Sequence, residues 1–214
     1  MQLNSILDGI QKDLMKRDEA WEEVKNYMRR ATRLSKQAIL LIHKQKTEEA
    51  KESLQEAKEL FSKLDKISQG HPDLAFTGIV DSAFQEYTEA QTFLSLIKKD
   101  QFITPEEFDI PLTSYMLGLP DVVGEFRRRS LDALRQGDVS EAEQCLQTME
   151  HIYLELTGME QGYRLVSGLR RKCDVSRRII ESTRGDVTIE VRRRSLSQSI
   201  TKLEKTLKER MKTE

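Results

Sequence analysis

The chain has 214 residues, 37% hydrophobic and 33% charged, with 35 Lys plus Arg against 36 Asp plus Glu, so net charge alone selects no class of partner. Four prolines and ten glycines leave few sites for the tight turns of an all-β fold, and the dominant Leu, Glu, Lys, Arg, Gln and Ala favour an all-α protein. The length suits one substantial core, and a single domain over residues 1–214 is expected.

The first helix is read over about residues 3–43, where Ile6, Ile10, Leu14, Trp21, Val24, Met28, Ala31, Ala38 and Ile42 recur at three-to-four spacing. A stripe this long suggests packing against another subunit as well as within the chain. Thr47-Glu48-Glu49 opens a second helix, whose stripe runs through Leu54, Ala57, Leu60, Phe61, Leu64 and Ile67 to Gly70. His71-Pro72-Asp73 reads as the turn that opens a third helix ending near Lys99. Residues 102–108 read as a loop with one short turn capped by Thr104, and a fourth helix spans residues 112–135 with a kink expected at Pro120. Gly137-Asp138 precedes a fifth helix to about Thr157, Gly158 separates it from a sixth over residues 159–183, and Arg184-Gly185-Asp186 introduces a seventh that runs almost to the end.

Cys145 and Cys173 lie far apart with no CxxC or Cys/His spacing, which argues against zinc and against a disulfide framework. A reduced, cytoplasmic setting is expected. The N-terminus lacks an apolar signal region, and no run approaches the roughly 18 apolar residues of a membrane span, so no membrane role is expected. Between Val24 and Thr47 stand Lys25, Arg29, Arg30, Arg33, Lys36, Lys44 and Lys46 without one acid, and further basic tracts occur at Arg127-Arg128-Arg129 and Arg192-Arg193-Arg194. A solvated face is the plain reading of any one tract; several on neighbouring helices could form a phosphate-binding surface. Arg33, Lys36, Arg128 and Arg129 are the candidates for backbone phosphate contacts, and the tracts lack the aromatic interleaving of a base-stacking platform.

Glu86-Tyr-Thr-Glu89 and Asp121-Val-Val-Gly-Glu125 place acids three and four residues apart, hence on one face of each helix. Glu86 is seven residues from Ile79 and from Phe93, and Glu89 four before Phe93, so both acids fall along an apolar seam where an uncompensated carboxylate is costly. Each could pair with Lys or Arg across a helix interface, and Glu125 with Arg129 one turn on. If the third and fourth helices are antiparallel neighbours, the two pairs would meet in an all-oxygen site suited to Mg²⁺ or Mn²⁺ rather than zinc. Such sites serve phosphodiester hydrolysis. A ferritin-like di-iron centre would need Glu-x-x-His, which neither Glu86 nor Glu89 begins; His43, His71 and His151 read as structural, and no Gly-rich phosphate loop or nucleophile motif is present.

The same residues carry a resemblance. Arg29-Arg-Ala-Thr-Arg-Leu-Ser-Lys36 with His43-Lys44, Phe84-Gln-Glu-Tyr-Thr-Glu-Ala90 with Phe93 and Ile97-Lys98, Tyr115-Met-Leu-Gly118 with Asp121 to Glu125, Gln136-Gly-Asp138, Tyr163, Gly168-Leu169 and Arg184-Gly185 occur in the order of the translin family. Within it the chain resembles the translin-associated factor X branch, in a compact prokaryotic or archaeal form without the longer N-terminal extension. The resemblance implies a seven-helix fold assembling into a closed homo-octameric barrel that handles nucleic acid inside. It further implies that Glu86, Glu89, Asp121 and Glu125 are metal ligands and catalytic carboxylates of a Mg²⁺-dependent endoribonuclease. Single-stranded or imperfectly paired RNA is the expected substrate, with single-stranded DNA as a further candidate. The rivals are a translin-like, non-catalytic RNA/DNA-binding scaffold and a helical oligomerisation protein with no nucleic-acid role.

Overall fold

A computed structural model describes residues 2–211, in which every regular element is helical. The order is α1 (Gln2–His43), α2 (Thr47–Ser68), a 3-10 turn (Pro72–Phe76), α3 (Gly78–Lys99), a second 3-10 turn (Glu106–Phe108), α4 (Leu112–Arg135), α5 (Val139–Thr157), α6 (Glu160–Leu165) and α7 (Leu169–Arg210). The chain divides into two compact units, one up to Val122 and one from Val123 on. α4 carries the backbone from the first to the second.

In the first unit α1 packs on both α2 and α3. Val24, Met28, Ala31, Ala38 and Ile42 from α1 meet Leu54, Ala57, Phe61 and Leu64 from α2 and Val80, Phe84, Tyr87 and Phe93 from α3, all buried. Phe61 stacks on Phe84 with ring centroids 4.1 Å apart, a geometry that adds about 1 kcal/mol to the burial of the two rings. Toward the N-terminus of α1 the same face continues without cover: Leu3, Leu7, Ile10 and Leu14 are each about half exposed or more. A helix keeps such a stripe apolar only if something buries it.

The third helix starts later than the Pro72-Asp73 signal suggests. Those residues form a separate 3-10 turn, closed by the Thr77 hydroxyl donating to the Leu74 carbonyl at 3.2 Å. Thr77 itself is extended (φ −106°, ψ 150°), so the α-helix begins only at Gly78. The Thr104 cap is as expected, its Oγ1 accepting from the Glu107 N–H at 3.3 Å. α4 runs unbroken through Pro120, which lacks the N–H that would bond one turn back.

In the second unit α5 packs along α7, with Ala142, Cys145, Met149, Ile152 and Leu156 facing Leu169, Cys173, Ile180 and Val187. Asp138 caps α5 by accepting from the Glu141 N–H at 3.1 Å. The boundary between the sixth and seventh helices lies at Gly168, not at Arg184-Gly185-Asp186. Gly168 takes φ 88°, the left-handed region that glycine adopts without strain, whereas Gly185 sits inside a continuous helix. Burial of Ile180, Thr183 and Val187 on one stripe holds that helix together across Gly185, whose propensity cost is only about 1 kcal/mol. Beyond Val191 the apolar residues of α7, among them Leu196, Ile200, Leu203 and Leu207, are exposed.

Candidate functional site

Glu86 and Glu89 lie on α3, in the half of the helix packed against α1, and both are half-buried. Between them Tyr87 and Thr88 turn inward and are fully buried. The Tyr87 hydroxyl accepts from Gln91 Nε2 at 2.7 Å, and burial pushes its pKa up to about 12, so it is a neutral core group and not an acid of the site. Thr88 donates to the Phe84 carbonyl at 2.8 Å, which turns its methyl and Cβ outward from α3.

That surface meets α4 at Gly118. A Cβ built on Gly118 would stand 2.6 Å from the Thr88 Cβ and 2.8 Å from the Gln85 carbonyl oxygen, so only glycine permits this approach. Asp121, half-buried, follows one turn later on α4. The first unit therefore places the Glu86/Glu89 pair and Asp121 each within one helical turn of a single helix crossing. Glu125, also half-buried, belongs to the second unit.

The Lys36 ammonium lies 3.1 Å from Glu86 Oε1, with the lysine side chain 60% exposed and the glutamate 24% exposed. Lys36 thus brings the basic face of α1 to an acid of α3. Arg29 and Arg33 precede it at spacings of four and three, on the same helical face, and both are exposed. Of the other two basic candidates, Arg128 is exposed, while Arg129 is half-buried and bonds Glu141 through Nε at 2.5 Å. Arg127, in the same basic tract but not among the phosphate candidates, donates to Thr183 Oγ1 at 2.7 Å and lies 3.5 Å from Asp186, tying α4 to α7.

The donor set fits a hard divalent cation in its chemistry, since all four groups are carboxylates and all are half-buried. Among the described residues, however, no group of three or more His, Cys, Asp or Glu is arranged to hold a metal ion. Glu89, Asp121 and Glu125 each have other interactions, and at Glu86 a lysine ammonium occupies a cation's place. The His43 ring packs 5.0 Å from Phe93, one turn along α3 from Glu89, and exposed His151 lies 3.9 Å from Glu155. Gly118 and the Lys36–Glu86 pair are the features that spacing alone does not reveal. A glycine inside an otherwise well-formed helix was the available signal for the first.

Comparison with known proteins adds three findings. A family model described as the Translin family matches residues 19–208. An uncharacterized protein of Methanocaldococcus jannaschii is 34% identical over 194 residues, covering 89% of this chain and 85% of that one. Among solved structures, AfC3PO bound to duplex RNA superposes with a TM-score of 0.78 at 34% identity, covering 88% of this chain and 97% of that one. AfC3PO alone gives 0.77 at 35% identity, covering 88% and 98%, and apo-NeC3PO gives 0.76 at 25%, covering 86% and 96%.

Proposed function

Because the chain belongs to the translin family, we propose that it binds RNA on the basic face of α1 and cuts it, as a metal-dependent endoribonuclease, at the carboxylates beside that face. The observation that carries this reading is the Lys36–Glu86 contact, which joins a track of Arg29, Arg33 and Lys36 directly to the acids. A fold likeness to a protein held in complex with duplex RNA supports the RNA half of the reading.

Arg29, Arg33 and Lys36 neutralise backbone phosphates, which gives salt-dependent affinity with little sequence preference. Arg128 adds a contact from α4, and Arg129 serves chiefly to hold Glu141. Glu86, Glu89, Asp121 and Glu125 would be the oxygen ligands of Mg²⁺ or Mn²⁺, and Lys36, now paired with Glu86, would be available to a backbone phosphate. Such an ion supplies Lewis acidity and a water of lowered pKa when bound. The chain's own contribution is the close α3/α4 crossing at Gly118, which fixes where Glu89 and Asp121 start. The exposed stripe from Leu3 to Leu14 supports self-association, and a closed homo-octameric shell is the assembly we favour.

A second reading has an observation of its own. Lys36 already compensates Glu86, and no three-acid cluster is formed among the described residues, as expected of a scaffold whose acids merely balance its bases. Incubation of unstructured RNA with the protein in Mg²⁺ or EDTA, for wild type and Glu89→Gln, separates the two. The nuclease reading requires cutting in Mg²⁺ that EDTA and Glu89→Gln abolish while binding persists. Binding without metal-dependent cutting by wild type establishes the scaffold.

A further inference from the structure

Away from the carboxylates, α2, the end of α3 and the 101–108 connection enclose a cavity of about 350 Å³. Its size is at the lower end of the range that small ligands occupy, enough for one nucleotide and too little for a duplex. Three lysines, Lys51, Lys98 and Lys99, line it against one carboxylate, Glu107. Glu48 already pairs with Lys98 and acts on Lys51, whereas no ion pair engages Lys99 among the described residues.

Two phenylalanines complete the wall. Phe108 is held in place by Tyr87, edge-on at 6.5 Å, and by the Lys58 ammonium 5.6 Å from its ring centre. Phe102 is 39% exposed at the mouth, which leaves ring surface accessible. Gln91, only 9% exposed, also lines the cavity, and its bond to the Tyr87 hydroxyl pins the amide so that its remaining polar groups keep a fixed direction. A flat ring surface, a fixed amide and cationic groups side by side match the base face, base edge and phosphate of a nucleotide.

We propose that this cavity binds a single phosphorylated nucleotide, free or at the end of an RNA strand, with the base on Phe102 and the phosphate toward Lys99 and Lys51. The site does not depend on the nuclease reading, because none of its residues is shared with the carboxylates.

The test is titration of the full chain with each of the four nucleoside 5′-monophosphates, followed by calorimetry. At least one should bind saturably. Phe102→Ala should weaken it about tenfold, the scale of one lost base stack, and Lys99→Glu by at least as much, while Glu89→Gln leaves it unchanged. Both altered residues are surface groups, and matched melting curves establish that the variants fold. A short oligonucleotide with a 5′-phosphate, compared with its 5′-hydroxyl form, separates the sources: a Phe102-dependent preference for the phosphate identifies a strand end, and binding of monophosphates alone identifies the free nucleotide. Absence of saturable binding at millimolar concentration overturns the proposal. So does binding that Phe102→Ala does not weaken, or that inorganic phosphate matches, since either would leave only an anion site.

Discussion

Gly118 of α4 lies against Thr88 of α3 so closely that a side-chain carbon at 118 would fall 2.6 Å from the Thr88 Cβ. Gly118→Ala gains about 1 kcal/mol of helix propensity, but the atoms it meets are a branched Cβ and a backbone carbonyl, neither of which can swing away. Overpacking of this kind costs about 1–3 kcal/mol, so a net loss is expected, larger for Gly118→Val. Urea melts measure it. Thr88→Ala should recover part of the loss in the double variant, and a Gly118→Ala protein as stable as wild type would show that the helices part easily.

How much of this was legible in the sequence depends on whether the signal was local. The ends of α1, α2, α4 and α5 follow from apolar stripes and caps that lie within the helices themselves. Pro72-Asp73 carries a helix-start signal, yet the 3-10 turn and extended Thr77 intervene, because a short turn and a helix N-terminus share the same first residues. Gly185 reads as a break by residue type, and burial of Thr183 and Val187 overrides it; Gly168, where the chain does turn, lay inside a region read as one helix. The acids were legible as pairs on helix faces. Which base would meet Glu86, and which residue would let α3 approach α4, depend on tertiary packing that spacing does not encode.

The Lys36–Glu86 contact makes lysine a competitor for any cation at Glu86. Lys36→Met should tighten Mn²⁺ binding. An exposed pair of this kind is worth at most about 1 kcal/mol, so the gain is roughly two- to fivefold. Paramagnetic Mn²⁺ titration measures it without reference to cleavage. Glu86→Gln, which removes the shared carboxylate, should leave the Lys36 substitution without effect on the remaining affinity. Equal Mn²⁺ affinities for wild type and Lys36→Met would separate the lysine from the metal site.

Arg33 stands on the track but not at the acids. Arg33→Ala should weaken RNA binding alike for unrelated sequences and reduce the slope of log affinity against log salt by about 1, the release of one counterion. Filter binding at several salt concentrations reads the slope. An unchanged slope would remove Arg33 from the phosphate track.

Leu7 and Ile10 face outward from α1 at 52% and 49% exposure, so they contribute little to the chain's own core. Leu7→Glu with Ile10→Glu should therefore leave helicity intact and lower the particle mass measured by light scattering, because charge in an apolar seam is expensive to bury. A mass identical to wild type would place the contact between copies elsewhere.

Burial raises the pKa of Tyr87 and of Cys145, each to about 12, from ordinary values of 10.0 and 9.0. For Cys145 the negative charge of Glu141 adds to the effect. In both cases the unfolded chain releases its proton first. The folded state keeps its full stability below pH 9 and loses it as pH climbs from about 9 to 12. Urea midpoints should fall across that window, with a shallower fall for Cys145→Ala, and native Cys145 should resist thiol reagents at pH 8. Rapid labelling without unfolding would contradict the burial.

Thr92 on α3 and Ser114 on α4 each bury a hydroxyl that has no hydrogen-bond partner among the described residues. An unsatisfied buried hydroxyl costs roughly 1–3 kcal/mol of lost hydration. Ser114→Ala removes the oxygen without enlarging the side chain, and alanine is also the better helix former. The variant should be at least as stable as wild type and up to about 1 kcal/mol more stable, after allowance for the small void left behind. Thr92→Val keeps the shape and should behave in the same way. A loss of 1 kcal/mol or more in either would mean that the hydroxyl bonds a buried water, and that the α3/α4 crossing next to the acids is wet.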